Sequence, residues 1–172
     1  KSVNLMASVD GYGNMQEYLR YPSNWSVISN NINKLLHQNN IKFSISPVIQ
    51  ITNLGYITDL FDYVEKINAT YDECLINLYP IVLNQPDYLN LINLPKSYKI
   101  ECYQKIETWI SQNCKYQGKA FHTIMNEVKN KCNSEVDYKV NLERFFEFND
   151  IFDNHRNQRL IDVNPKLNAL RP

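Results

Sequence analysis

Ser8 and Asp10 stand at the end of an apolar run, Val3 to Ala7, and Gly11-Tyr12-Gly13 follows at once. Alternate residues of an extended chain share a face, so the hydroxyl and the carboxylate emerge on one side of a strand where Asp-Gly turns the chain. Arg20 is close enough in sequence to join them, and Asn53 ends the next strand-like run. A guanidinium fork matches a carboxylate, and a strand-end hydroxyl both donates and accepts hydrogen bonds. These four are the candidate binding residues. Plainer roles stay open beside that one: Asp10 stabilising its own turn, Arg20 a solvated charge, Asn53 a helix cap.

Other chemistry is thinly represented. The sequence has no G-x-S-x-G elbow, P-loop or H-E-x-x-H, and Gly11-Tyr12-Gly13 lacks the third glycine of a dinucleotide loop. His37, His122 and His155 sit on or near helical stripes, where surface or structural roles are the expectation. Cys74, Cys102, Cys114 and Cys132 include no Cys-x-x-Cys pair and read as free thiols, not as a disulfide framework or a metal site. Two sequons, at Asn24 and Asn68, carry little weight in so asparagine-rich a chain.

Eighteen basic residues balance eighteen acidic ones over 172 residues, which gives no strong pull toward nucleic acid or an anionic membrane. No apolar run approaches the roughly 20 residues of a spanning helix, and no signal-peptide pattern is present, so the expected compartment is the cytoplasm.

The elements that must position the candidates follow from periodicity. Residues 1–10 read as a strand with Val3, Leu5, Ala7 and Val9 on one face, and a short helix over Met15–Arg20 ends before Pro22. Ser23 or Asn24 caps a longer helix marked by Trp25, Ile28, Ile32, Leu35 and Leu36, which Asn39-Asn40 closes. Residues 41–52 alternate as a second strand, with Pro47 marking a bulge or an edge. Ile57 to about Asn68 forms the next helix, and the apolar run 74–83 reads as a strand covered on both faces. Strand and helix alternating with short connections means parallel pairing. Beyond residue 95 the pattern is helical: one helix around Tyr103–Ile110, another around Phe121–Val128, a third from about Val136 to Phe152, then an extended tail.

The order Ser8-Val9-Asp10-Gly11, Glu17-Tyr18-Leu19-Arg20, Trp25, Asn31-Ile32 and Asn53 resembles the later half of radical S-adenosylmethionine enzymes, above all those with a C-terminal twitch extension. Phe152-Asp153-Asn154-His155-Arg156 and Val163-Asn164-Pro165 are similar to the way such phage and bacterial sequences finish. The resemblance implies an α/β fold in which residues 1–95 form part of a partial (β/α) barrel with parallel strands, and 96–172 a mainly helical, twitch-like extension. It implies that Ser8 lies beside bound S-adenosylmethionine, that Arg20 reaches its carboxylate, that Asp10 holds the loop or binds ligand, and that Asn53 contributes from the next strand end. Tyr79, Asn84 and Gln85 would be substrate contacts.

The family's Cys-x-x-x-Cys-x-x-Cys, which holds a [4Fe-4S] cluster, is absent from the sequence, as is the glycine-rich segment that follows it. The resemblance therefore implies a cluster carried by an N-terminal half outside this sequence. The partners it implies are that half or a reductant protein, with a peptide or small molecule as substrate. A second reading is a non-catalytic α/β binding or interaction module. A half-enzyme leaves residues 1–10 at an open sheet edge, whereas a self-sufficient module flanks that strand on both sides.

Overall fold

A computed structural model describes residues 2–38 and 40–172, which leaves Asn39, half of the Asn39-Asn40 helix stop, outside the described residues. The first half runs β1 (Val3–Ala7), α1 (Asn14–Leu19), α2 (Trp25–Leu36), β2 (Ile41–Ile45), β3 (Val48–Ile49), α3 (Ile57–Tyr71), β4 (Ile76–Leu78) and β5 (Ile81–Val82). Asn24 caps α2 as its sequence position predicts, its side chain accepting from the Val27 N–H. Strand β2 lies between β1 and β4, parallel to both, with Leu5 opposite Phe43 and Ile45 opposite Leu78. The helical crossovers between these strands are what parallel pairing requires.

Two of the expected strands are each broken in two. The run 41–52 divides into β2 and β3 around Ser46-Pro47, and the run 74–83 into β4 and β5 around Tyr79-Pro80. Proline has no N–H to give a ladder, so each break falls where the sequence forces it. The register is unchanged across both breaks: Ile45 faces Leu78 before them and Val48 faces Ile81 after them. Pro47 and Pro80 therefore stand at the same level, and the two strands bend together. The Ile81 N–H donates to Pro47 O across 2.8 Å at the start of the second, two-stranded sheet β3-β5.

The two faces of the three-stranded sheet differ. Phe43, Ile45, Ile76 and Leu78 are buried beneath α2 and α3, while Asn4, Met6 and Lys42, of the other parity, are exposed, Met6 at 60%. The expected double cover of run 74–83 is not found: Tyr79 and Ile81 are exposed. The two edges differ as well. At the outer edge of β4 the Asn68 side chain imitates a strand, its Oδ1 accepting from the Ile76 N–H at 2.9 Å and its Nδ2 donating to Ile76 O at 3.0 Å. Gln117 Oε1 accepts from the Leu78 N–H at 2.8 Å. β1 pairs with β2 alone and has no strand on its other side among the described residues.

The second half is helical, as expected: α4 (Lys96–Asn113), α5 (Lys119–Asn133) and α6 (Lys139–Arg156). The tail is not extended. It forms two short helices, α7 (Leu160–Val163) and α8 (Pro165–Asn168), because Asn164 caps the second through the Leu167 N–H while Pro165 takes the first helical position. Asn164 is fully buried and its Nδ2 donates to Thr52 O at 2.8 Å, so the tail is tied to the loop after β3. One buried cluster contains Phe43, Phe61, Phe121, Phe145 and Leu167, and thus joins residues 1–95 and 96–172 on a shared core. Among the described residues no helix is long and apolar enough to cross a membrane.

Candidate functional site

The ends of β1 and β3 meet at Asp10. Its carboxylate is almost wholly buried and both oxygens are used: Oδ1 accepts from the Val48 N–H at 2.8 Å, and Oδ2 accepts from Arg20 Nε at 2.7 Å. The Asp10 N–H donates to Gln16 Oε1 at 2.7 Å, which fixes the turn against α1. Gly11 belongs to that turn by necessity, since a Cβ there would fall 2.6 Å from Met15 Cγ. Asn53, fully buried, ties the two loops: Nδ2 donates to Asp10 O at 2.7 Å and to Val48 O at 2.8 Å, and Oδ1 accepts from the Gln50 N–H at 2.9 Å.

Asp10, Arg20 and Asn53, three of the four candidate residues, are thus brought into one hydrogen-bonded network. Their roles within it are unequal. Asn53 spends its amide on backbone and has no surface to offer a ligand, and Asp10 is spent on Val48 and Arg20, so both act as positioning residues. Arg20 is different. Its side chain is 38% exposed, it is held by Nε alone, and its two terminal nitrogens have no partner among the described residues. A guanidinium steered by a buried carboxylate with its outer end open is arranged to take an anionic oxygen pair.

Ser8 lies outside this network. It is the first residue past β1, exposed, with the parity of Met6 on the uncovered sheet face. Tyr79 is also exposed, and its carbonyl accepts from Ser46 Oγ at 2.9 Å. Asn84 and Gln85 are engaged elsewhere, with Lys131 Nζ at 2.7 Å and Asp87 Oδ1 at 2.6 Å respectively.

A cavity of about 180 Å³ adjoins the network, reached from α1 through Tyr18 and Leu19 and from the β3 loop through Gln50 and Thr52. Leu89 and, from α6, Phe148, Asn149, Phe152 and Arg156 complete its lining. Tyr18 braces one wall: its hydroxyl lies 2.9 Å from Asn149 Oδ1 and 2.8 Å from Asp153 Oδ1, and burial followed by the hydrogen bond to Asp153 pushes its pKa well above the phenol range. None of Gln16, Gln50, Thr52 or the α6 residues was marked by sequence. Gln16 shows no signal beyond its place in a short helix, and the α6 residues read as a core stripe.

The cysteines do not suit an iron-sulfur cluster. No three His, Cys, Asp or Glu side chains gather to hold a metal ion among the described residues. Cys102 and Cys132 are buried thiols whose pKa values are pushed up to about 11 and about 12 by desolvation, and Cys114 is raised to about 11 for the same reason. The ligating form of cysteine is the thiolate, and these surroundings oppose it. No family model, curated protein or solved structure matches the chain.

Proposed function

We propose that the chain is the later part of a radical S-adenosylmethionine enzyme, contributing cofactor and substrate contacts to a site completed by a cluster-bearing segment or chain. The observation that supports this reading is the asymmetry of the sheet. Parallel sheets are normally buried on both faces. Here one face is packed under helices and one edge is closed by the Asn68 and Gln117 amides, while the opposite face is exposed at Asn4, Met6 and Lys42 and half-buried at Ser44 and Asn77, and the β1 edge has no strand beside it among the described residues. An open face and an open edge on a parallel sheet fit a barrel segment whose interior and next strand come from elsewhere. The same asymmetry disfavours the self-sufficient module, which would flank β1 on both sides.

In this reading Arg20 takes the carboxylate of S-adenosylmethionine with its two outer nitrogens, and Asp10 sets the direction of that fork. Ser8, on the open face, supplies a hydroxyl to the same ligand, and Asn53 keeps the β1 and β3 loops at a fixed separation. The helices of residues 96–172 close the site from above and exclude water. The bound cofactor supplies one-electron, hydrogen-abstracting chemistry. The cluster that drives it belongs to the completing segment, because the cysteines of this chain do not suit it.

Titration of the ¹⁵N-labelled chain with S-adenosylmethionine tests the reading. Saturable amide shifts confined to Ser8–Gly13 and Arg20, lost in Arg20→Ala, are expected. Shifts that ignore Arg20→Ala, or none at all, would overturn the assignment of these residues.

A further inference from the structure

The cavity beside the Asp10–Arg20 network has a composition that specifies its occupant more narrowly than its position does. Phe148, Phe152 and Arg156 follow one another at four-residue intervals on α6 and so form a single stripe. The two phenyl rings lie 4.5 Å apart and tilted. The Arg156 guanidinium lies 4.3 Å from the Phe152 ring centre and 5.4 Å from that of Tyr21. Among the described residues it makes no salt bridge: Asp153, one turn before it on its own helix, is taken up by the Tyr18 hydroxyl and the Leu160 N–H, and Asp150 is paired with Arg171. Its one hydrogen bond among the described residues is a long contact of 3.5 Å to Tyr18 O. An arginine held in place by aromatic faces and left without an anion is a ready anion site.

The opposite wall supplies polar groups. The Thr52 and Gln50 side chains line this wall and make no hydrogen bond among the described residues, their known bonds running through their backbone O and N–H respectively. Leu19 and Leu89 add apolar lining, and Tyr18 and Asn149, hydrogen-bonded to each other, complete it. A cavity of about 150 Å³ lined by apolar side chains accommodates a benzene ring. At about 180 Å³ this one has room for a single ring and a small substituent.

We infer that the cavity binds a small planar aromatic or heteroaromatic ring bearing one anionic group, stacked against Phe148 and Phe152, its anion on Arg156 and a ring polar atom on Thr52 and Gln50. This deepens the functional proposal by naming the substrate class, and rests on it for the step from ligand to substrate. The binding itself does not depend on it.

Benzoate is the probe. Titrated into the intact chain, it is expected to give saturable shifts at Thr52, Phe148 and Phe152, with acetate and benzamide each about tenfold weaker because each lacks the ring or the charge. Arg156→Gln is expected to weaken benzoate by about tenfold at Thr52, Phe148 and Phe152, and Thr52→Val to weaken a hydroxylated ring, 4-hydroxybenzoate, more than benzoate. Thermal unfolding of each variant checks that it folds. No benzoate shifts at Thr52, Phe148 and Phe152, or equal binding of benzoate and benzamide at these residues, would overturn the inference. Benzoate bound with no response to S-adenosylmethionine would leave the cavity and remove the functional proposal; the converse would remove the cavity alone.

Discussion

Arg20 reaches Asp10 through a single nitrogen, Nε, at 2.7 Å, and the carboxylate that receives it also accepts the Val48 N–H at 2.8 Å. One buried group therefore sets both the direction of the arginine and the approach of the β3 loop. Replacing Asp10 by Ala strands the Val48 N–H and frees the arginine, with an expected loss of about 2–4 kcal/mol. Asp10→Asn keeps the shape and is expected to lose about half as much. Urea unfolding measures both, and equal stability of Asp10→Ala and the native chain would show that the network contributes nothing.

Asn53 makes three hydrogen bonds to backbone from a fully buried position. Leu keeps the branched four-atom outline of the side chain but cannot bond, so Asn53→Leu leaves Asp10 O, Val48 O and the Gln50 N–H unpaired. A loss of about 3 kcal/mol or more is expected, together with weaker S-adenosylmethionine shifts at Arg20. Loss of stability with unchanged shifts would confine Asn53 to the fold.

At the outer edge of β4, Asn68→Ala removes both bonds to Ile76. The expected cost is about 1–3 kcal/mol, and the Ile76 amide should exchange with solvent at least tenfold faster as the edge opens. Protection equal to the native chain would mean that another group closes this edge. Asn68 also explains why its sequon is not a usable one: its side chain is inside the protein.

Alkali should destabilise the protein through its thiols. In an unfolded chain a cysteine loses its proton near pH 8.5. In the folded chain burial raises Cys102 and Cys114 to about 11 and Cys132 to about 12. The folded state then binds more protons than the unfolded state between these values, so the contribution is complete below about pH 8.5 and is lost as pH rises through 11 to 12. Lys99, lowered by burial, acts in the opposite sense. Unfolding midpoints measured from pH 8 to 11 should fall, with a shallower slope in Cys102→Ala and Cys132→Ala. Equal slopes would show that the thiols titrate as in the unfolded chain.

Much of the scaffold is legible in the sequence because apolar periodicity reports burial directly. Trp25, Ile28 and Ile32 announce α2, and Ile57 to Val64 announce α3. Two features escape this logic. Pro47 is visible as a disturbance, but that it faces Pro80 depends on a register that no local pattern encodes. The tail looks extended because α7 and α8 are one turn each, too short for periodicity, and are held by the Asn164 amide and by Leu160 and Leu167 in the core. For the site, residue type and position near strand ends single out Ser8, Asp10, Arg20 and Asn53, of which the last three meet and Ser8 does not. They could not separate a group that binds a ligand from one that holds its neighbour, since that depends on which lone pairs the fold leaves unused. Arg156 stayed hidden because an arginine ending an apolar stripe looks like a solvated helix end, and only the aromatic rings around it mark it otherwise.

The most direct measurement joins this chain to the segment encoded immediately upstream of residue 1, reconstitutes the product with iron and sulfide without oxygen, and follows 5'-deoxyadenosine after adding dithionite and S-adenosylmethionine. The account predicts that 5'-deoxyadenosine forms and falls at least tenfold in Arg20→Ala, since a charge-assisted pair to the cofactor carboxylate is lost. An upstream segment without three closely spaced cysteines, or a reconstituted protein that forms no 5'-deoxyadenosine, would contradict it.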